Sequence, residues 1–212
     1  MKIYVVGSSK NKFLPLDDIR EKFLIDEKHE GDNIDFLNPW YCELTGLYYL
    51  WKHVDDDIVG LEHYRRYFVN SKNKLLSESE IKNLLQKNDI ICHHLRNYTK
   101  YKSIEEELIK STKDEHTVKT FKNYIKEIDN TYDMNKEPYK HSFNMFIGKR
   151  NIIESILEKL FEVMNNFIVK YDIRKINKRT IGYLSEFYFS YLITQNKFIE
   201  VDVFNQKFNR LA

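Results

Sequence analysis

The feature that most constrains the fold of this chain is the regular alternation of short apolar runs with longer amphipathic stretches. The apolar runs are rich in β-branched and aromatic residues, and their length is typical of buried strands. Helical periodicity separates them, which predicts an α/β fold with a mostly parallel sheet flanked by helices. With 212 residues, the chain suits a single domain over residues 1–212. The predicted strands are Lys2–Val6, Asp57–Tyr64, Asn88–His94, Ser142–Arg150 and Lys197–Phe204.

Local signals predict where the helices begin. Asn38 followed by Pro39 is expected to cap a helix that continues to Val54. Ser77–Glu80 and Ser103–Glu106 have the spacing of capping boxes, and the second precedes a polar helical region that reaches about residue 128. Asn151 is expected to cap a strongly amphipathic helix, and a last long helix is predicted over residues 179–193.

Composition excludes several classes of protein. The 34 basic and 32 acidic residues give a net charge of +2, which is too balanced for a dedicated nucleic-acid binder. Cys42 and Cys92 form neither a metal motif nor a disulfide framework and fit a reducing compartment. The first ten residues lack the apolar core of a signal peptide, and no run reaches the roughly 18 apolar residues of a membrane span. We expect a cytoplasmic protein, compatible with peripheral association at the inner face of the cell membrane.

The ends of the predicted strands separate the charged clusters into two groups. In open α/β sheets, ligands bind beyond the carboxyl ends of the strands. The triplet Asp55–Asp57 precedes a strand and is therefore expected in a solvated loop away from the ligand. The residues expected at the ligand edge are Gly7, Ser8, Ser9, Lys10, Glu62, His63, Tyr64, Arg65, Arg66, His93, His94, Lys149 and Arg150.

The adjacent arginines in "GLEHYRRYF" indicate an anionic ligand. Arginine presents a planar fork of donors that matches phosphate oxygens. If the strand continues through Arg65 and Arg66, the two side chains point in opposite directions, so at most one faces the cleft. The other would then pair with a carboxylate such as Glu43. Two ordinary surface salt bridges are an equally weighted alternative.

Taken together, "GDNIDFLNPWYCELTGLYYLWKHV", "DIVGLEHYRRYF", "FNMFIGKR" and "RTIGYLSEFYFSYLI" resemble the DUF4422 family of bacterial glycosyltransferases of capsule, exopolysaccharide and lipopolysaccharide biosynthesis. The resemblance runs from about Gly31 to Leu192. It implies a GT-A-like, Rossmann-like fold and a nucleotide-sugar substrate, UDP-linked by preference. Departures from the family pattern include Ser8-Ser9-Lys10 after the first strand and Phe187 after the glutamate of the last helix.

The resemblance, together with the placement of Gly7 and Ser8 at the end of the first strand, predicts which residues bind the donor. Transfer from a nucleoside diphosphate sugar needs positive charge on the leaving diphosphate and a base for the acceptor hydroxyl. Glu186, which lies among aromatic residues, is the first candidate for the base, and Glu43 is the second. His63, Arg65 and Arg66 complete the catalytic set. The donor-binding set is Gly7, Ser8, Asp32, Asn33, Tyr41, Glu43, Thr45, Tyr64, Asn144 and Arg179.

The sequence leaves the metal and the exact reaction open. A divalent cation, Mg²⁺ or Mn²⁺, would use Glu62 and His63, which is a thin ligand set, so the arginines are expected to replace or supplement it. One positioned base favours an inverting hexosyl or galactofuranosyl transfer to a glycan or lipid-linked acceptor. The alternatives are a non-catalytic protein that binds a nucleotide sugar or a carbohydrate, and an RNA-binding module. The balanced charge argues against the last.

Overall fold

The computed structural model describes residues 1–97, 101–137, 139–141, 144–206 and 210–211. Short 3-10 helices cover Asp35–Leu37 and Ile173–Lys175. The strands are β1 Lys2–Gly7, β2 Arg20–Leu24, β3 Ile58–His63, β4 Arg66–Phe68, β5 Ile90–His93, β6 Leu95–Asn97, β7 Tyr139–His141, β8 Phe146–Lys149, β9 Phe198–Val201, β10 Val203–Asn205 and β11 Arg210–Leu211. The helices are α1 Asn38–Tyr41, α2 Leu44–His53, α3 Glu78–Leu85, α4 Ile104–Thr112, α5 Glu115–Ile128, α6 Arg150–Lys170 and α7 Thr180–Thr194.

A nine-stranded sheet forms the centre of the molecule. Its main path has the order β11-β10-β4-β3-β8-β5-β9, and β1 joins β3 to β2. The pairings make β1, β2, β3, β5, β9 and β10 run in one direction and β4, β8 and β11 in the other. The predicted α/β architecture with a mostly parallel sheet is therefore confirmed. Strands β6 and β7 pair separately as a two-stranded antiparallel sheet.

Strand β8 lies between β3 and β5 and is antiparallel to both. A short apolar run in the sequence does not indicate the direction of its strand. Phe146 pairs with Leu61 near the carboxyl end of β3, whereas Lys149 pairs with Ile58 at its beginning. The expectation that Lys149 and Arg150 lie at the ligand edge was therefore wrong. Both lie at the opposite edge, where Lys149 Nζ is 2.8 Å from Asp89 and Arg150 Nη2 is 3.1 Å from Asp55.

Apolar layers cover both faces of the sheet. Strand β1 alternates between them: Ile3 belongs to the smaller cluster, which includes Ile81 and Leu85 of α3, whereas Tyr4 and Val6 belong to the larger one. The larger cluster holds the apolar faces of α2, α5, α6 and α7. The predicted apolar face of α6 is buried as expected, with Ile153, Ile156, Leu157, Leu160, Met164 and Phe167 in this cluster.

Within the described part of the chain, no helix combines the length and the apolar character that crossing a bilayer requires.

Two of the predicted helix caps form and two do not. Ser77 and Glu80 make a reciprocal capping box, and the Ser103 hydroxyl accepts a hydrogen bond from Glu106 N at 3.1 Å. Asn38 lies inside α1, where its Nδ2 donates to Ile25 O at 2.9 Å instead of capping the helix. Helix α6 begins at Arg150, so Asn151 is also inside the helix. Helical backbone therefore begins one residue earlier than a cap at Asn38 predicts and two residues earlier than a cap at Asn151 predicts.

The predicted helix from Pro39 to Val54 is interrupted at Cys42, whose φ of 53° lies in the left-handed region. Thr45 stabilises the break, because its backbone N–H and its hydroxyl both donate to Cys42 O, at 3.1 and 2.8 Å. The break rotates α2 relative to α1 and leaves Glu43 at the start of α2. The region after Ser103 is likewise divided, at Lys113, where φ is 54°.

Candidate active site

A cleft of about 260 Å³ lies beyond the carboxyl end of β3. The β3–β4 connection forms one side, the break between α1 and α2 forms the floor, and α4 and the first half of α7 close the other side. Its walls carry three arginines, one histidine and three carboxylates. The lining residues are Cys42, Glu43, His63, Arg65, Arg66, Glu107, Ser111, Asn144, Arg179, Gly182, Tyr183 and Glu186.

A tight hairpin brings both adjacent arginines to this cleft. Strand β3 ends at His63, a two-residue turn follows, and Arg66 pairs with His63 as the first residue of β4. The expectation that at most one of the arginines faces the cleft assumed a continuing strand and was wrong, since Arg65 lies in the turn and Arg66 on the returning strand. Arg65 packs against Tyr64, with its guanidinium carbon 5.1 Å from the ring centre. Its buried Nε has no hydrogen-bond partner among the described residues.

His63 and Glu43 form a hydrogen-bonded pair in the cleft. The distance from His63 Nε2 to Glu43 Oε1 is 3.2 Å, and Arg65 N donates to His63 Nδ1 at 3.4 Å. This geometry assigns the proton of a neutral His63 to Nε2, because Nδ1 faces a donor. Burial acts to raise the pKa of Glu43, but the hydrogen bond from His63 and the charge of Arg179 outweigh it and hold that pKa below its ordinary value. Glu43 is therefore ionised at neutral pH.

Arg179 enters the cleft from the start of α7. Its φ of 69° is left-handed, and its backbone N–H donates to Pro39 O at 2.9 Å, which ties α7 to α1. Burial alone would lower the pKa of Arg179, but Cys42, Tyr183 and Glu43 raise it. Burial, together with Glu43, raises the pKa of the Cys42 thiol to about 11. The cleft therefore holds a charged guanidinium beside a protonated thiol.

Asn144 reaches the cleft because β8 is antiparallel. It precedes β8, so it lies at the same edge of the sheet as the end of β3. It is 3% exposed, its φ is 54°, and its buried Oδ1 has no hydrogen-bond partner among the described residues. An unpaired buried carbonyl oxygen is costly, so this atom is set to accept a hydrogen bond from a ligand hydroxyl or amide.

The structure also places Glu186 in the cleft, next to Tyr183 and on the same wall as Arg179. Phe187 and Tyr191, two of the aromatic residues that surround Glu186 in the sequence, line a different pocket. Glu107 and Ser111 of α4 also line the cleft, and neither was predicted from the sequence. The signal that identifies Glu107 is a carboxylate on the buried face of an amphipathic helix, between Ile104 and Leu108.

Several residues of the predicted donor-binding set lie outside the cleft. Tyr41 is fully buried and its hydroxyl donates to Asn165 Oδ1 at 2.9 Å, and burial raises its pKa. Thr45 is buried at the helix break described above. Asp32 accepts hydrogen bonds from Tyr48 and His53 toward the far end of α2, and Asn33 holds the turn before the 3-10 helix at residues 35–37. These four residues build the fold around the cleft.

Three further predicted residues border the cleft without lining it. Val6 pairs with His63, so Gly7 and Ser8 lie close to the arginine hairpin. Phe13 packs on Gly7, where a Cβ atom would come within 2.7 Å of Phe13 Cζ, and Ser8 bonds to Asn11 at 2.7 and 3.0 Å. Tyr64 occupies the hairpin turn and contacts His63, with ring centres 4.6 Å apart.

Glu62 cannot share a cation with His63, because the two side chains project from opposite faces of β3. Glu62 is fully buried against Arg20, with an Nε–Oε2 distance of 2.7 Å, and it also accepts from Phe68 N at 2.9 Å. Burial raises its pKa, and the facing guanidinium opposes that rise. The structure thus contradicts the predicted metal pair. Among the residues that the structure describes, no group of three His, Cys, Asp or Glu side chains is placed to hold a metal ion.

Comparisons with known proteins agree with this architecture. A family model described as "Domain of unknown function (DUF4422)" matches residues 2–197. Among solved structures, the chain is similar to the apo structure of the bifunctional glycosyltransferase WbbM, with a TM-score of 0.77 and 21% sequence identity. The similarity covers 95% of this chain but only 44% of the WbbM chain, so this chain spans less than half of that protein. No curated protein matches the sequence.

Proposed function

The chain belongs to the DUF4422 family, and from that membership and the cleft we propose that it is a glycosyltransferase. It moves a sugar from a UDP-linked donor to a glycan or lipid-linked acceptor in surface polysaccharide biosynthesis. The fold that it shares with WbbM, itself a bifunctional glycosyltransferase, supports the proposal.

The observation that carries the proposal is the convergence of three guanidinium groups on one cleft. Arg65, Arg66 and Arg179 come from two distant parts of the chain and line the same space. A diphosphate presents several charged oxygens, and guanidinium groups bind such oxygens through charge-assisted hydrogen bonds. As the bond to the sugar breaks, negative charge grows on the diphosphate, and fixed positive groups stabilise it in the transition state.

The other cleft residues suit the sugar and the acceptor. Asn144 Oδ1 accepts a hydrogen bond from a sugar hydroxyl, which supplies the partner that this buried atom lacks among the described residues. Glu43, ionised and bonded to His63, orients the donor or the arginines. Glu186 takes the proton of the acceptor hydroxyl as that oxygen attacks the anomeric carbon. The new bond forms as the bond to the diphosphate breaks, so a single displacement inverts the anomeric centre.

The proposal also covers how a divalent cation would bind in this cleft. Glu43 and His63 are the neighbouring ligand-type side chains of the cleft, and a hard cation such as Mg²⁺ needs more oxygen ligands than they supply. Phosphate oxygens and water would have to complete its shell. The arginines neutralise the charge of the diphosphate whether or not a divalent cation is bound.

Calorimetric titration with UDP, GDP, CDP and dTDP, with and without Mn²⁺, tests the donor site. We expect UDP to bind most tightly and Arg65→Ala to weaken that binding by roughly 10- to 150-fold, the loss of one charge-assisted contact. Arg174→Ala is the matched control, because Arg174 is an exposed arginine paired with Asp172. Failure of all four nucleotides to bind at millimolar concentration would overturn the proposal, as would equal losses in both variants.

A further inference from the structure

A second pocket, of about 220 Å³, opens next to the candidate active site. It lies between the loop after α5 and the second half of α7. Aromatic rings and short hydroxyl or amide side chains form most of its wall. The lining residues are Ile104, Thr131, Tyr132, Asp133, Lys136, Phe187, Tyr191, Thr194 and Gln195.

The same two helices line both pockets. On α4, Ile104 faces the second pocket, and Glu107 and Ser111, one and two turns later, face the active-site cleft. On α7 the order is reversed: Tyr183 and Glu186 face the cleft, and Phe187, Tyr191 and Thr194 face the second pocket. Along α7 the centres of these two sets of lining residues are about seven residues apart, which is roughly 10 Å at 1.5 Å per residue. Glu186, which lines the cleft, directly precedes Phe187, which lines the second pocket.

The chemistry of the second pocket differs from that of the cleft. Among the described residues that line it, Asp133 is the one acidic and Lys136 the one basic side chain, and none is an arginine, so this lining offers little net attraction to a phosphate. Tyr132 and Tyr191 supply ring faces. The hydroxyls of Thr131 and Thr194 donate to Asp129 and to Tyr191 O, so they offer acceptor oxygens, and the Gln195 amide offers both a donor and an acceptor. Apolar faces edged by convergent polar groups are suited to a neutral polyhydroxylated ring.

The tyrosine wall is held rigidly. The rings of Tyr132 and Tyr191 are 5.1 Å apart, and Tyr188 lies behind both, at 5.1 and 5.9 Å. Tyr188 donates to Asp129 at 3.0 Å, and Asp129 is also bound by Lys159 at 2.8 Å. A wall fixed before the ligand arrives loses little conformational entropy on binding.

We propose that this second pocket binds the sugar of the acceptor. Its neighbouring position would direct an acceptor hydroxyl toward Glu186 and toward a donor held by the arginines. The inference rests on the proposed glycosyltransferase function, because only a two-substrate transfer requires two adjacent sites of different charge.

Saturation-transfer NMR with a panel of neutral methyl glycosides tests the second pocket directly. The panel contains the methyl α- and β-glycosides of glucose, galactose, mannose, rhamnose and N-acetylglucosamine. We expect transfer to at least one of them in the native protein, and at least a fivefold loss of signal in Thr194→Trp, which fills the pocket, and in Tyr191→Ala, which removes a ring face. Lys197→Trp is the matched control, because Lys197 is exposed three residues beyond Thr194 and does not line the pocket.

Titration with UDP and the Arg65→Ala variant separate this inference from the donor proposal. Glycoside binding should persist in Arg65→Ala and in the presence of saturating UDP. If UDP binds but no glycoside does, or if the glycoside signal survives in Thr194→Trp or is displaced by UDP, the acceptor pocket is wrong and the donor site stands. If glycosides bind as expected and no nucleotide binds, the donor proposal is wrong, and with it the acceptor role of this pocket.

Discussion

Among the carboxylates of the cleft, Glu186 and Glu43 have different surroundings. Glu43 is bound to His63 and lies near Arg179, and its lowered pKa makes it a weak base. Glu186 lies on α7, one turn beyond Tyr183 and directly before Phe187 of the second pocket. This division favours Glu186 as the residue that accepts a proton and Glu43 as a residue that positions others.

We expect Glu186→Gln to bind UDP like the native protein, to unfold at the same temperature and to lose transfer by roughly 10²- to 10⁴-fold. The amide keeps the shape of the side chain and removes its basicity. Glu158→Gln, an exposed carboxylate of α6, serves as the control for charge. Initial rates of transfer and of donor hydrolysis, measured with saturating donor, give the comparison. A fully active Glu186→Gln protein would show that Glu186 is not the base. If Glu43→Gln then lost transfer by the same factor, Glu43 would be the base.

Asp129 predicts a pH dependence of stability. Burial acts to raise its pKa, but hydrogen bonds from Lys159, Thr131 and Tyr188 lower it from 3.8 to about 2. Since the folded pKa is below the unfolded one, this carboxylate stabilises the fold above pH 4 and loses that contribution as the pH falls through 2. Asp129→Asn should therefore reduce the free energy of unfolding by about 2 kcal/mol at pH 7 and by much less at pH 2.5.

Urea unfolding of both proteins between pH 2.5 and 7 measures the difference. Asp18→Asn, on the exposed surface, should change stability little at any pH. A difference between native and Asp129→Asn protein that stays constant over this range would show that the carboxylate charge is not what stabilises the network.

At the scale of elements, the break between α1 and α2 determines what the cleft contains. Cys42 has φ 53° and ψ −124°, a conformation that residues with a Cβ rarely adopt. Cys42→Gly should therefore retain the fold and keep or raise the free energy of unfolding, whereas the β-branched Cys42→Val should lower it by roughly 1–3 kcal/mol. Thermal and urea unfolding measure both. Equal stability of the two variants would show that the backbone at this position is not strained.

The break also explains which parts of the site the sequence could predict. Apolar periodicity identified β1, β3, β5 and the buried face of α6, because burial requires it over several residues. It could not identify β4, which has three residues and whose pairing depends on a turn. Nor could it identify the left-handed residues Cys42 and Lys113, since neither is glycine or asparagine. The sequence therefore predicted the elements that have a local apolar pattern. It did not predict strand pairing or helix breaks, because contacts between residues distant in the sequence determine them.

At the scale of the whole molecule, the direction of a strand within the sheet was the main feature that the sequence did not predict. An apolar run such as residues 142–150 predicts a strand and its burial, and residues 142–143 of it lie outside the described part of the chain. Its direction is set by its neighbours β3 and β5. Reversing that strand exchanges the two ends, so Asn144 enters the cleft and Lys149 leaves it. The sequence therefore predicted the edge of the sheet at which His63, Arg65 and Arg66 lie, because they come at or just after the end of β3, but it placed Lys149 and Arg150 at the wrong edge.

The central position of β3 has a consequence for hydrogen–deuterium exchange. Strand β3 pairs with β1 on one side, with β8 on the other and with β4 at its end, so its amides should exchange only through global unfolding. The arginine hairpin is attached to this slowly exchanging strand. Helix α4, nine residues long, has no such ladder and packs through apolar side chains such as Leu108. We therefore expect UDP to slow exchange in Ile104–Thr112, which carries Glu107 and Ser111 of the cleft, and to leave β3 unchanged, so the arginine hairpin is anchored to the part of the molecule that opens least.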